Sequence, residues 1–245
     1  VPSKAAAAVL REIISTERTY LRDLKALRAV SETLGTTSEL AALLGNVPSL
    51  EKLSAEIVRT LEGSQQQIDS EAEPTPSVDA VAATFGTLAP FLRTYSEYAP
   101  TKLYFNGLPT FPWSPPLPHL PLVTRGRYVN KQYDRLACVA GLRSSSAGSK
   151  ALARAQQAAD GQPIDSLLIK PVQRLCKYPL LLRALRDALP RADTRAPAIE
   201  RALRLVESAA ADVNRASEEA EQAAKVLELG GAWRGLCAPS RRLLL

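Results

Sequence analysis

Residues 165–189 read DSLLIKPVQRLCKYPLLLRALRDAL, and this stretch decides the fold. Its apolar residues recur mostly three or four positions apart, which is the spacing of one buried face of an α-helix. They are Leu168, Val172, Leu175, Leu182, Leu185 and Leu189. Further apolar residues at Leu167, Ile169, Leu180 and Leu181 widen that face, so we expect other helices to enclose this one.

A polar ridge interrupts the apolar surface of the same stretch. It consists of Lys170, Gln173, Arg174 and Lys177, again three or four positions apart. Pro171 and Pro179 also lie inside the segment, and each proline removes a backbone donor at a cost of about 3 kcal/mol in a helix interior. Neighbouring helices must therefore hold this helix in place. By spacing alone, the ridge is the solvated edge of a core helix.

Composition predicts an all-α protein. The 245 residues are 46% hydrophobic and 23% charged, which is a globular balance rich in strong helix formers. Alternating β-branched runs are absent from the sequence. The net charge of +6 permits an acidic partner, nucleic acid or an anionic membrane. Basic clusters with interleaved aromatic residues are missing, so we expect no nucleic-acid partner.

The supply of chemically reactive residues is small. The three cysteines are widely spaced, and His119 is the single histidine, so we expect no metal, no cofactor and no histidine catalysis. No apolar run reaches the roughly 18 residues of a membrane-spanning helix, and no signal peptide is visible. We therefore expect a cytoplasmic location. The sequence starts at Val1 and contains no methionine, which we interpret as a piece of a longer protein.

Periodicity and breaker residues divide the rest of the chain into helices and connections. Helices are predicted at residues 3–30, 38–61 in two pieces, 78–98, 128–142, 147–159 and 198–229. Ser3 is the predicted N-cap of the first helix, and Gly45 and Pro48 divide the second. A polar linker is predicted at 63–77 and a tail at 230–245. Six prolines between Pro109 and Pro121 exclude a helix from the proline-rich insertion at about residues 103–127.

Two blocks of this sequence resemble a known family. LLIKPVQRLCKYPLLLRAL, within the stretch at 165–189, is similar to the third conserved block of the Dbl-homology (DH) domain, the exchange-factor module for Rho-family GTPases. REIISTERTYLRDL, which begins at Arg11, is similar to the first block of that family. The resemblance implies a DH domain over residues 1–229, folded as an elongated bundle of about six main helices.

The resemblance also implies a function and a set of contact residues. A DH domain acts as a regulatory guanine nucleotide exchange factor without bond chemistry, because it binds the GTPase switch regions and promotes GDP release and GTP loading. The GTPase-binding residues implied here are Glu12, Ile169, Lys170, Gln173, Arg174, Lys177 and Asn214. The family pattern assigns Glu12 to the first switch, and Lys177 and Asn214 to the second. From spacing alone, Glu12 and Asn214 are ordinary solvated residues.

Two alternatives remain open at this point. The domain could be a non-catalytic DH-like scaffold that binds a GTPase, a cytoskeletal partner or an anionic membrane, the last by peripheral contact. The insertion could be a ligand for a Src-homology-3 domain, since residues 109–121 contain repeated PxxP spacing. It could equally be a surface excursion that packs Phe111 and Trp113 against the bundle.

Overall fold

The computed structural model describes residues 3–35, 38–66, 75–97, 131–190 and 192–236. In these ranges the chain forms eight α-helices, one 3₁₀ helix and a ladder of two very short strands, which confirms the all-α fold. The α-helices are α1 (Lys4–Leu34), α2 (Glu39–Leu43), α3 (Val47–Glu62), α4 (Val78–Leu88), α5 (Lys131–Arg143), α6 (Ser146–Ala158), α7 (Ile164–Ala188) and α8 (Ala196–Leu236). The 3₁₀ helix is Ala89–Glu97, and β1 (Gln65–Gln66) pairs antiparallel with β2 (Thr75–Pro76) inside the predicted linker.

The start of α1 is fixed by the residue that the sequence predicts as its cap. The Ser3 hydroxyl accepts a hydrogen bond from the Ala6 amide at 3.1 Å, which satisfies one of the free donors of the first turn. The same hydroxyl donates to the Ala188 carbonyl at 3.0 Å. Ser3 therefore ties the beginning of α1 to the end of α7, and the two helices run antiparallel.

The second and third predicted helical segments end differently. Residues 38–61 form two pieces as expected, with Pro48 in the first turn of α3, where its missing amide costs nothing. Residues 78–98 were expected to form one helix, and this is wrong. The α-helix ends at Leu88 and the chain continues as a 3₁₀ helix from Ala89. Pro90 lacks the amide hydrogen that α-helical bonding would need at this point.

Helix α7 lies at the centre of the bundle, where α1, α5, α8 and the 3₁₀ helix pack against it. Both Pro171 and Pro179 are inside the helix and buried, so contacts with these neighbours offset the two missing backbone bonds. The expectation that other helices enclose this segment is confirmed. The exception is Leu180, which is 56% exposed.

Helix α8 is longer than the sequence indicated. It has 41 residues, which corresponds to roughly 60 Å at 1.5 Å per residue, and its contacts are with α4, α7 and the 3₁₀ helix. The predicted end near residue 229 is wrong, because the helix continues through Gly230 and Gly231 to Leu236. A glycine costs only about 1 kcal/mol in a helix and does not have to end it.

Other predictions fall partly outside the described ranges. The proline-rich insertion at 103–127 and residues 237–245 of the predicted tail are not among the described residues. Within the described ranges, no helix is both long enough and apolar enough to cross a membrane.

Candidate functional site

The seam between α1 and α7 carries three ion pairs at successive levels. The Lys177 ammonium lies 3.7 Å from the Glu12 carboxylate, Arg174 pairs with Glu17, and the Lys170 ammonium lies 3.8 Å from the Asp23 carboxylate. As the residue number rises along α1 from 12 to 23, the number of the partner residue on α7 falls from 177 to 170, as antiparallel packing requires. The polar ridge predicted on α7 is therefore matched by acidic residues of α1.

The first pair lies at the surface. The Glu12 side chain is 52% exposed and the Lys177 side chain is 48% exposed. An ion pair this open to solvent contributes at most about 1 kcal/mol to folding, because water screens it and two long side chains must be ordered. The pair can therefore break at little cost in free energy, and each charge can then bind a group of a partner protein.

The second pair is in the interior. The Arg174 side chain is 4% exposed and Glu17 is fully buried. The Arg174 Nε donates to one carboxylate oxygen of Glu17 at 2.8 Å, and Nη2 donates to the same oxygen. The other oxygen accepts from the Ser54 hydroxyl at 2.5 Å and from the Tyr178 hydroxyl at 3.2 Å. Each carboxylate oxygen is satisfied, so the pair meets the condition under which buried charge is tolerated.

Charge and burial shift the ionisation of this cluster in definite directions. Burial alone lowers the pKa of Arg174, but the Glu17 carboxylate outweighs it, so the net pKa is raised and the guanidinium stays charged. Burial, reinforced by the Glu17 charge, raises the pKa of Tyr178 well above its usual value, so this hydroxyl stays protonated and donates. The guanidinium also lies over the Tyr178 ring at 4.8 Å, which adds a cation–π contact.

The expectation that Arg174 belongs to the exposed ridge is therefore wrong. Its side chain points into the seam with α1, while Gln173 and Lys177 on the same ridge are exposed. The spacing of polar residues on α7 could not reveal this, because a ridge of this width has one edge facing α1 and one facing solvent. Arg174 is a buried residue of the α1–α7 seam.

The remaining predicted contact residues are Ile169, Lys170, Gln173 and Asn214, of which Gln173 is exposed. Ile169 and Lys170 are half-buried, and Asn214 on α8 is half-buried as well. Arg183 of α7 pairs with Glu207 of α8 through a 3.0 Å hydrogen bond. Arg183 lies six residues after Lys177 on α7, and Glu207 lies seven residues before Asn214 on α8. Because the Arg186–Glu200 pair shows that these helices also run antiparallel, we expect Asn214 near the level of Lys177 along the two helix axes.

The third pair lines a polar cleft of about 660 Å³. The cleft is lined by residues of α1, the end of α6, the α6–α7 connection and α7, namely Thr19, Arg22, Asp23, Lys25, Ala26, Ala158, Asp160, Gln162 and Lys170. Burial raises the pKa of Asp23, although Lys170 opposes the shift. The charges are mixed, and among the described residues no group of His, Cys, Asp or Glu side chains could hold a metal ion.

Thr16 also belongs to the site, although the sequence did not single it out. Its hydroxyl accepts from Arg174 Nη1 at 2.8 Å and donates to the Glu12 carbonyl at 2.6 Å. The only signal in the sequence was its position one helical turn after Glu12, which many surface threonines share.

Comparison with known proteins places the chain in a family. The model of the RhoGEF domain matches residues 9–106 and 119–214, and the unmatched gap falls within the predicted insertion. A myosin-M heavy chain from Dictyostelium discoideum is 23% identical over 236 residues, which cover 93% of this chain but 12% of that protein. The chain thus spans about an eighth of the length of this curated relative.

Solved structures show the same fold. The DH domain of FARP2 superposes with a TM-score of 0.55 at 18% identity, covering 94% of this chain and 98% of that one. The DH/PH domains of PDZ-RhoGEF in complex with GTP-γ-S activated RhoA superpose with a TM-score of 0.63 at 20% identity, covering 89% of this chain and 54% of that one. With the family match extending over most of its length, this chain belongs to the RhoGEF domain family.

Proposed function

We propose that this domain is a guanine nucleotide exchange factor for a Rho-family small GTPase. The observation that carries the proposal is the meeting of Glu12 and Lys177, which come from two helices and lie 3.7 Å apart with both side chains about half exposed. The antiparallel register of α7 and α8 leads us to expect Asn214 near the same level on a third helix. The family match and the fold shared with a DH/PH domain bound to RhoA support this assignment.

The proposed mechanism needs no bond to be made or broken in the domain. A GTPase holds its nucleotide through Mg²⁺, phosphate contacts and two mobile switch loops. A partner that binds the nucleotide-free arrangement best shifts the population toward it. Glu12 would engage the first switch, and Lys177 and Asn214 the second. The remodelled switches would release Mg²⁺ and the phosphates, and GTP would then enter.

The contact residues have different roles in this proposal. The Glu12–Lys177 pair would open on binding, and each charge would form a charge-assisted hydrogen bond with a switch residue. Because the pair is exposed, opening it costs little. Ile169, Lys170 and Gln173 would flank these contacts on α7. Arg174 has no place in the contact surface because its side chain is only 4% exposed.

Nucleotide release tests the function directly. Each of several Rho-family GTPases is loaded with a fluorescent GDP analogue, and release is followed with and without the domain in excess unlabelled nucleotide. We expect acceleration with at least one GTPase, and tighter binding of its nucleotide-free form than of its loaded form. Equal affinity for the two forms would exclude exchange activity, since a ligand without differential affinity shifts no equilibrium.

Three finer points complete the proposal. The exchange function would place the domain in the cytoplasm, and the net charge of +6 would allow peripheral contact with an anionic membrane.

Residues 109–121 would bind a Src-homology-3 domain through their PxxP spacing. A peptide of residues 109–121 should bind such domains in a titration, and a peptide with alanine at each proline should not.

A further inference from the structure

Thr16 joins the buried ion pair to the exposed one. Its single hydroxyl accepts a hydrogen bond from Arg174 Nη1 at 2.8 Å and donates one to the Glu12 carbonyl at 2.6 Å. A hydroxyl has one proton to donate, and here it is directed to the turn of α1 that bears Glu12. A continuous path of hydrogen bonds thus leads from Arg174 in the core to the backbone of Glu12 at the surface.

The donor end of this path is held from several sides. Nε and Nη2 of Arg174 are engaged by the buried Glu17 carboxylate, and the guanidinium lies 4.8 Å from the centre of the Tyr178 ring. Nη1 is therefore directed at Thr16 by groups that cannot rearrange without exposing a buried charge. Arg174 lies one helical turn before Lys177, so α7 offers a fixed reference point close to the exposed pair.

We infer that Thr16 is a positioning residue for nucleotide exchange. It holds the first half of α1 at the register on α7 where the Glu12 carboxylate meets the Lys177 ammonium. The inference rests on the proposed exchange function and deepens it, because it names what presents the two contact residues to the GTPase. The Thr16 hydroxyl is committed inside the domain, because it accepts from Arg174 and donates to the Glu12 carbonyl, with a longer 3.4 Å contact to the Ile13 carbonyl. Thr16 therefore acts through Glu12.

The exposed pair cannot supply this alignment by itself. Glu12 and Lys177 are each about half exposed, and a solvated ion pair is too weak to fix the register of two helices. Displacements of about 1 Å at a functional constellation are enough to reduce a rate strongly. A buried anchor one turn away supplies the rigidity that the surface pair lacks.

The first test compares three variants in the nucleotide-release assay. Thr16→Val keeps the side-chain shape but removes the hydroxyl, and we expect exchange about fivefold slower, as for the loss of one hydrogen bond. Thr16→Ser restores the hydroxyl and should remain within about twofold of the parent. The matched control is Thr33→Val, which removes the same kind of bond, to the Ala29 carbonyl at 2.7 Å, in the last turn of α1. It should exchange at the parent rate.

Circular dichroism and thermal melting accompany each variant. If Thr16→Val does not fold, Thr16→Ala removes the hydroxyl without a branched side chain and is judged by the same criterion. A parent-like rate in the folded hydroxyl-free variant would overturn the inference. So would a serine variant as slow as the valine variant, because the hydroxyl would then be irrelevant.

A second measurement is independent of any GTPase. In the free domain, a nuclear Overhauser effect between the Glu12 Cγ protons and the Lys177 Cε protons reports their proximity. We expect it in the parent, Thr16→Ser and Thr33→Val proteins, and a clear weakening in Thr16→Val. An undiminished effect in Thr16→Val would overturn the inference. If the parent accelerates release from no Rho-family GTPase, the proposed function fails, while this comparison still decides whether Thr16 positions the pair.

Discussion

Arg174 and Glu17 form an ion pair across α1 and α7 in which the Arg174 side chain is 4% exposed and the Glu17 side chain is fully buried. Lys177 and Glu12 form a second pair on the same two helices about one turn away, and both of those side chains are half exposed. The inner pair fixes how the helices meet, and the outer pair is available to a partner. Stability and binding therefore depend on different residues of one seam.

Removing one member of the inner pair should destabilise the fold strongly. Arg174→Met leaves the Glu17 carboxylate buried without its cation, which we expect to cost about 3–5 kcal/mol in the free energy of unfolding. Removing both charges in Arg174→Met/Glu17→Leu should recover only part of that loss, because the buried Ser54 and Tyr178 hydroxyls then lose their acceptor. Urea denaturation measures each value. Lys177→Met, which breaks the exposed pair, should change stability by less than about 1 kcal/mol. Equal costs for the two single variants would contradict the division between the pairs.

Removing the proposed GTPase-contact side chains should slow nucleotide exchange and leave the fold intact. Lys177→Ala, Glu12→Ala and Asn214→Ala should each lose a contact worth about 2–5 kcal/mol, because a partner group is left unpaired. This corresponds to roughly thirtyfold or more in nucleotide release at fixed GTPase concentration. Arg186→Ala is the control, since it breaks a 3.2 Å pair with Glu200 farther along α7. Parent-like release by the Lys177 and Glu12 variants would contradict the site.

Thr84 offers a stabilising substitution away from the site. Its hydroxyl is buried on α4 and has no hydrogen-bond partner among the described residues. Thr84→Val keeps the shape and removes the unsatisfied group, so the free energy of unfolding should rise by about 1 kcal/mol. Thr84→Ser keeps the hydroxyl but loses the methyl group, and should lower stability instead. A destabilised valine variant would mean that the hydroxyl has a partner in solution.

Acid should weaken the ion pair between Asp193 and Arg195, which lies just before α8. The Arg195 side chain, and after it the Arg195 backbone amide, bond to the Asp193 carboxylate and lower its pKa from 3.8 to about 2. A folded pKa below the unfolded one stabilises above about pH 4, and this contribution is lost as the pH falls from about 4 to about 2. In a carbon-13 NMR titration, Arg195→Ala should raise the pKa of Asp193. Arg204→Ala, farther along α8, should leave it unchanged.

The proline-rich insertion should be dispensable for exchange. The family match omits residues 107–118. We expect that replacing residues 108–122 with a short Gly/Ser linker leaves helicity and release nearly unchanged, because loop length affects closure entropy only weakly. Circular dichroism and the release assay measure both. A fall in melting temperature of more than about 5 °C would show that Phe111 and Trp113 stabilise the bundle.

The helices of the chain could be predicted where local signals were strong. The cap at Ser3, the break near Gly45 and the course of α7 follow from hydrogen-bonding capacity and apolar spacing, which act over a few residues. The predicted ends of α4 and α8 were wrong because Pro90 and the Gly230–Gly231 pair give weak or ambiguous signals for the end of a helix. Whether such a signal ends a helix depends on the packing available beyond it.

The sequence by itself determined an all-α bundle around α7, and its resemblance to the RhoGEF family singled out Glu12, Lys177 and Asn214. Only the tertiary structure decided that Arg174, four residues from Lys170 and three from Lys177, is buried. Its burial depends on Glu17 from α1 and Ser54 from α3, and on Tyr178 one turn along α7. Helical spacing gives the direction of a side chain, whereas its depth and partners depend on what other elements place opposite it.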